Sequence, residues 1–428
     1  MMIDLLITHA NEVVTCRTGP AGAIGKALEK LEIIPNGAVA IDHGRIVDLG
    51  PTPALLKSYD ARRVLRADAK LVTPGLVDPH SHLVHAGSRH EEYEALVTGK
   101  RHAGGGILYT VSKTRQASSS SLRKQALSDL DIMLLHGTTT MEAKSGYGLD
   151  RKTELLLMKI ISGLKHPIQV VPTYLGDHVL PREYRGRRDK YVDLVIRMLD
   201  EVRPYAEYFD IVCGPASFTY DECYRMGSRA LELGYRIRVH ADEIKNDRGA
   251  QLAARLKATS ADHLDYVTKS GIRALAKSGT VGVLLPGVTF HKTEMIPKMF
   301  GKRLLPAVKS FWPRLVRDMI NGGMRLALSA DYNPGSSPTQ SMQMIMQLAA
   351  RLYRLSYAAI WHMSTINAAH ALDRGGNLGS LEVGKRADIV IWRVPEHGMV
   401  IHRFGINLVD TVLKDGSVVV SGGSLHDR

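Results

Sequence analysis

From residue 74 the chain alternates short β-branched apolar runs with longer segments whose apolar residues recur at helical spacing. That alternation predicts parallel βα units. Strands are predicted over "GLVDPHSH" (75–82), "TTTMEAKSG" (138–146), "IQVVPTYLGDH" (168–178) and "YFDIVCG" (208–214). Four more are predicted over "YRIRVHADE" (235–243), "ATSADHL" (258–264), "TVGVLLPG" (280–287) and "MRLALSADYN" (324–333). Residues 118–137 typify the helices between them. Their serines are N-cap candidates, Gly137 is the stop, and Leu122, Ala126, Leu130, Met133 and Leu134 share one face. Eight such units predict an α/β protein with a (β/α)8 TIM-like barrel over residues 74–374.

The chain ends have another rhythm. "GAVAIDHGRIVDLGP" (37–51) alternates apolar and polar residues around "HG". "LGSLEVGKRADIVIWRV" (378–394) and "LVDTVLKDGSVVVSGG" (408–423) repeat that style, the latter around "KDG". Short strands from 1–73 and 375–428 are therefore expected to form one small β-sandwich domain beside the barrel. The stretch 83–117 reads as an unusually long loop containing "AGGGI", and loops of that length are generally functional.

Six of the eight predicted strands end in chemically capable side chains: His80 and His82, Lys144, His178, His240 with Glu243, His263, and Asp331. Side chains at these ends converge on the barrel mouth, where packing alone would ask for apolar or small residues. His80 and His82, two apart, share a strand face. With His240 and Asp331 they make a three-nitrogen, one-oxygen set that suits zinc or iron(II) and leaves a coordination position for water. Water on such an ion loses its proton near neutral pH and attacks as hydroxide. Asp331 can accept a proton and pass it to a leaving nitrogen. His263 is placed to hydrogen-bond an attacked carbonyl oxygen or the water. Glu243 is placed to shuttle protons or anchor a substrate N–H. The fourth predicted strand has no lysine to bridge a second ion, so one divalent ion per chain is expected. Lys144, on the second strand, is read as ion-pairing or substrate-facing.

Composition narrows the classes. Hydrophobic content of 44% and charged content of 23% belong to an ordinary soluble protein. Cys16, Cys213 and Cys223 are odd in number and lack CxxC spacing, against a disulfide framework or a zinc–cysteine site. No basic segment precedes a long apolar run at the N-terminus and no window approaches a membrane span, so a cytoplasmic protein without a membrane partner is expected. A net charge of +13 would suit nucleic acid or a small anionic substrate. The basic residues are scattered, however, and the densest run, "REYRGRRDK" (182–190), contains two acids. Aromatic content of 6% is poor material for base stacking, which favours the small anion over nucleic acid.

The ordered set "DPHSHLVHAGSR", "AGGGI", "GTTTMEAKSGYGL", "VHADEI", "ATSADHL", "LLPGVTF" and "DYNPGSSP" resembles the amidohydrolase superfamily over nearly the whole length. More narrowly, it resembles the branch that hydrolyses 4-imidazolone-5-propanoate to N-formimidoyl-L-glutamate in histidine degradation. The resemblance implies a barrel with a small β-sandwich, bound zinc or iron (2+ or 3+), and a homodimer. By motif it makes His80, His82, His240 and Asp331 the metal ligands. Arg89, Tyr147, His178 and Glu243 would contact substrate, and Asn333, Gly335 and Ser336 the product end. The planar fork of Arg89 suits a carboxylate. Two departures stand out. Asp177 replaces a usually small residue, where it would orient His178 or face solvent. "KNDRGA" (245–250) replaces a glycine-rich turn. Among competing classes, a nucleobase or cyclic-amidine deaminase needs no carboxylate clamp. An inactive barrel scaffold should have lost a ligand, and a basic nucleic-acid-binding protein would show a motif that is missing here.

Overall fold

The computed structural model describes residues 1–100, 104–214, 217–300 and 305–426. Ala103 of "AGGGI" lies outside the described residues. Among the described residues two sheets divide the strands. The first is mixed and draws on both chain ends. Its N-terminal strands are β1 (Met2–Val14), β2 (Ile33–Asp42), β3 (Arg45–Pro51), β4 (Asp60–Arg66) and β5 (Leu71–Pro74). The second is parallel: β6 (Leu76–Asp78), β7 (Thr138–Lys144), β8 (Gln169–Tyr174), β9 (Tyr208–Val212), β10 (Arg236–Ala241), β11 (Ser260–His263), β12 (Val281–Leu284) and β13 (Leu326–Leu328). The chain then returns to the first sheet through β14 (Ile389–Trp392), β15 (Val409–Lys414), β16 (Ser417–Ser421) and β17 (Ser424–Leu425). Leu5, Ile7 and Val39 from one half of the mixed sheet share a core with Ile389, Ile391 and Leu413 from the other.

Alternation builds the barrel. Met141 and Ala143, Phe209 and Ile211, and Ile237 and Val239 join the apolar layer shared with the helices. Their neighbours Glu142, Lys144, Asp210, Arg238 and His240 point the other way and meet inside the barrel, Lys144 with Asp210 and Arg238 with Glu142 across non-adjacent strands. The helix Ser119–Leu135 is capped by the Ser118 side chain, which accepts from the Ser121 N–H. Trp361, on the helix Tyr357–Ser364, meets Trp392 of β14 edge to face at 5.8 Å and ties the helical layer to the mixed sheet.

At Gly75 the chain passes directly from the mixed sheet into the barrel, and there a Cβ would lie 2.2 Å from Thr139 Oγ1. The Gly75 N–H is held by the Asp388 carbonyl at 2.9 Å. Strand β6 ends sooner than the sequence implied, since Pro79 has no N–H for a ladder. His80 and His82 therefore lie beyond the strand, in the seam between β6 and β13. Among the described residues no ladder joins those two strands. Side chains and single backbone bonds close the gap instead. Asp78 accepts from Ser329 Oγ and from the Ala330 N–H at 3.0 Å. The His82 N–H reaches the Tyr332 carbonyl at 2.8 Å, and on the opposite edge the Lys144 N–H reaches the Ser81 carbonyl at 2.9 Å. The supposed loop 83–117 is mostly helical, with helices His90–Thr98 and Ile107–Gln116. Among the described residues no helix is long and apolar enough to cross a membrane.

The seam yields a stability prediction. Asp78 is 1% exposed, and its removal leaves the Ser81 hydroxyl and the Ala330 N–H without their acceptor and the Ser329 hydroxyl with the His80 carbonyl alone. Asp78→Ala is expected to lower stability by about 2–4 kcal/mol, read as an earlier denaturant midpoint of the metal-free chain. A midpoint equal to that of the parent would show that the seam closes without this carboxylate.

Candidate active site

The histidines at the barrel mouth are fixed from behind. His80 Nδ1 is 2.6 Å from Asp262 Oδ2, and His240 Nδ1 is 3.1 Å from Asp210 Oδ1. Each carboxylate pins the near nitrogen as a donor and leaves Nε2 as the outward electron pair. His80 Nε2 and Asp331 Oδ1 are buried, have no hydrogen-bond partner, and lie 3.6 Å apart. His82 Nε2 is 3.5 Å from the same Asp331 oxygen. Ligand atoms of His80, His82 and His240 lie within 4.8 Å of one another, as do those of His80, His263 and Asp331. Unpaired donors of this kind, converging in a dry site, fit a divalent cation. The four predicted ligands thus come together, and His263 stands among them.

Of the charges beneath these rings only Lys144 was read from the sequence. Glu142, Lys144, Asp210, Arg238 and Asp262 are fully buried. Lys144 Nζ lies 2.6 Å from Glu142, 2.5 Å from Asp210 and 3.9 Å from Asp262. Lys144 is therefore an ion-pairing residue, and its ammonium supports both carboxylates that hold the histidines. A sequence signal existed. Asp210 occupies an inward position of its strand, Glu142 and Arg238 stand two residues before Lys144 and His240, and Asp262 directly precedes His263. Burial lowers His80 and His82 well below the ordinary imidazole range, with Lys144 adding to the effect at both. At His240 burial is outweighed by Asp210, and the imidazole is raised. Burial pushes the Asp331 carboxyl up to about 8, against the pull of His240.

The remaining residues ring this centre. His178 stacks on His82 with centroids 4.9 Å apart and bonds the Gly146 carbonyl through Nδ1 at 3.1 Å. Tyr147 lies 5.5 Å from the His82 ring, ring centre to ring centre. Its segment is clamped by Glu154, an unforeseen residue whose carboxylate accepts from the N–H groups of Gly146, Gly148 and Leu149. Burial raises the Tyr147 phenol; Asp331 adds to this and Arg89 opposes it, so both charges act on that hydroxyl. Asp177 is buried and accepts from the Val212 N–H, so it neither faces solvent nor bonds His178.

Glu243 Oε1 lies 3.8 Å from both His263 Nδ1 and Lys292 Nζ. Burial would raise the Glu243 carboxyl, but His263 and Lys292 hold it down to about 2. Burial pushes His263 itself down to about 3, so near neutral pH the acting cation is Lys292. Lys292 was not anticipated; it is pinned by Asp265 at 2.7 Å, which also accepts from Trp312 at 3.0 Å. Asn333 and Ser336 shape the loop that carries Asp331. Asn333 Oδ1 accepts from the Gly335 and Ser336 N–H groups at 2.9 and 2.8 Å, and Nδ2 donates to the Asp331 carbonyl at 2.7 Å. Asp331 itself is left-handed at φ 46°. Arg89 is paired with Glu92 and lines a cavity of about 240 Å³ with Tyr93, Lys100, His291 and Gly335.

The chain matches the amidohydrolase family over residues 71–420. It is 38% identical to the imidazolonepropionase of Bacillus velezensis, covering 98% of this chain and 97% of that one. It is 43% identical to the imidazolonepropionase of Treponema denticola, covering 91% and 93% of the two chains. Among solved structures, a zinc-bound adenosine deaminase from Xanthomonas campestris superposes with a TM-score of 0.66 at 19% identity, covering 100% of this chain and 95% of that one. A zinc complex of atrazine chlorohydrolase from Arthrobacter aurescens gives a TM-score of 0.69 at 16% identity, covering 99% and 97%. At such identities the likeness is one of fold.

The carboxylates behind the histidines generate a measurable expectation. Asp262→Asn should weaken divalent-metal binding by about 10- to 100-fold in chelator competition, because His80 loses its charged orienting partner. His240→Ala should abolish stoichiometric retention on elemental analysis. Parent-like affinity in Asp262→Asn would mean that His80 is oriented by packing alone.

Proposed function

The chain belongs to the amidohydrolase family, and from that membership we infer that it is a hydrolase that opens the cyclic amide of 4-imidazolone-5-propanoate, a step of histidine degradation. One observation carries the substrate: relatives of a single name, imidazolonepropionase, match this chain at 37–43% identity over nearly its whole length. The product is N-formimidoyl-L-glutamate, formed as water adds to the ring carbonyl and the C–N bond breaks.

His80, His82, His240 and Asp331 would hold one zinc or iron ion, in keeping with zinc in the fold relatives. Such an ion polarises a carbonyl and makes water acidic near neutral pH. Asp331 takes the proton from the attacking water and returns it to the departing ring nitrogen. His263 donates a hydrogen bond to the carbonyl oxygen as charge develops there. Glu243, kept ionised by Lys292, receives a ring N–H. Arg89 holds the propanoate carboxylate, Tyr147 and His178 bound the ring, and Asn333, Gly335 and Ser336 line the product end. In this reading residues 74–374 are the catalytic unit, with 1–73 plus 375–428 beside it, and the protein works as a cytoplasmic homodimer.

The test follows the loss of imidazolone propanoate absorbance by the metal-loaded protein, set against a panel of nucleobases. Turnover of the nucleobases alone would replace this reading with a deaminase. Asp331→Asn should keep the fold, checked by circular dichroism, and lose about 100-fold or more in kcat. A variant that retained most of its rate would move the base to Glu243 or His263. Arg89→Met should cut kcat/KM by about 30-fold to several hundred-fold, mainly through KM, with metal content unchanged.

A further inference from the structure

The pairing of Arg89 shows which edge of its guanidinium is spent. Glu92 engages one side, with Nε donating to Oε2 at 3.2 Å and Nη2 to Oε1 at 2.6 Å. A guanidinium carries five N–H groups, so this side-on contact leaves both protons of Nη1 and one of Nη2. The remaining Nη2 proton and one of the Nη1 pair form the end-on fork, which suits a second carboxylate. The fork lies over Gly335, in the loop that carries Asp331. A Cβ on Gly335 would sit 2.2 Å from Nη1 and 2.5 Å from Cζ. Arg89 thus spans two elements: Glu92 holds it from the helix His90–Thr98, and the bare backbone of Gly335 makes room for it.

We propose that Glu92 is a positioning residue for substrate: it fixes the side of the Arg89 guanidinium so that the end-on fork meets the substrate's carboxylate. This rests on the reading of Arg89 as the carboxylate anchor. A single guanidinium then serves two carboxylates, one internal and permanent, one brought by the substrate. The arrangement lowers the cost of binding, because the long arginine side chain is already ordered before substrate arrives. A competing geometry, in which Glu92 fills the site that substrate must take, makes the opposite kinetic prediction.

The experiment is a double-mutant cycle of Arg89→Met and Glu92→Gln in the metal-loaded protein. It uses 4-imidazolone-5-propanoate and an analogue whose carboxylate is a neutral amide. Glu92→Gln is expected to raise KM for the acid about 5- to 20-fold and to change kcat much less. The effect on KM should disappear in the Arg89→Met background, since the proposed role runs through the Arg89 guanidinium. KM for the amide analogue should move little, and Glu92→Asp should recover part of the loss. A fall in KM on Glu92→Gln would overturn the proposal and make Glu92 a competitor. Full additivity with Arg89→Met would overturn it by showing a merely structural role for Glu92. If Arg89→Met left KM unchanged, the anchor reading itself would fail; a normal KM in that variant separates this outcome from the others. Metal content and circular dichroism of every variant exclude misfolding as the cause.

Discussion

A buried lysine holds the centre of this molecule together. Lys144 places its ammonium among Glu142, Asp210 and Asp262 inside the barrel, with no solvent to share the charge. Taking ions out of water costs several kcal/mol each, so such a cluster persists only when every member has a partner. Here the partners are one another, Arg238, and two histidine rings. Asp210 and Asp262 each divide themselves between Lys144 and an imidazole, which makes the ammonium the common anchor for His240 and His80. Preorganisation of the mouth therefore begins one layer below it. The arrangement also explains why the barrel interior is polar at mid-height, where packing alone would use aliphatic side chains.

The seam of the barrel answers a related constraint. A strand that continued through His82 would spend its backbone in regular ladders on both sides. Pro79 stops the ladder, and the following residues reach left to β7 and right to the Asp331 loop by single bonds. The interruption places two imidazoles and a left-handed aspartate against one another at about 3.5 Å. Irregular backbone at this point is what lets residues from the first and last strands share one centre. The Asp78 and Ser329 side chains substitute for the lost ladder.

Around that centre, charges are set by their neighbours. Glu243, half-buried at the mouth, remains ionised because Lys292 faces it, and Lys292 is in turn pinned by Asp265. His263 is kept neutral by burial. Burial raises the Asp331 carboxyl, against the pull of His240. Two carboxylates at one mouth thus sit in opposed surroundings, Glu243 facing the Lys292 ammonium and Asp331 set against the His80 and His82 rings.

Whereas the two helices within 83–117 were read as loop, the order of the barrel strands, the six chemically equipped strand ends and the family motifs were legible in the sequence. They depend on local periodicity and on residue type, and both are written along the chain. His80, His82, His240 and Asp331 belonged to that readable set because metal donors are few in kind. Sequence reasoning placed the two histidines on a strand although Pro79 ends it at Asp78; what only the tertiary structure decided is the seam with β13 that they enter. Asp177 likewise took its role from Val212, 35 positions along. Lys144 had two readings until barrel closure put it beside Asp210 and Asp262, 66 and 118 positions away by sequence number. Lys292 and Glu154 gave no local sign at all. The strength of a buried charge pair depends on which side chain arrives opposite it and on how much water is excluded. Neither quantity is a property of a short stretch of chain; both come into being when the strands close on one another.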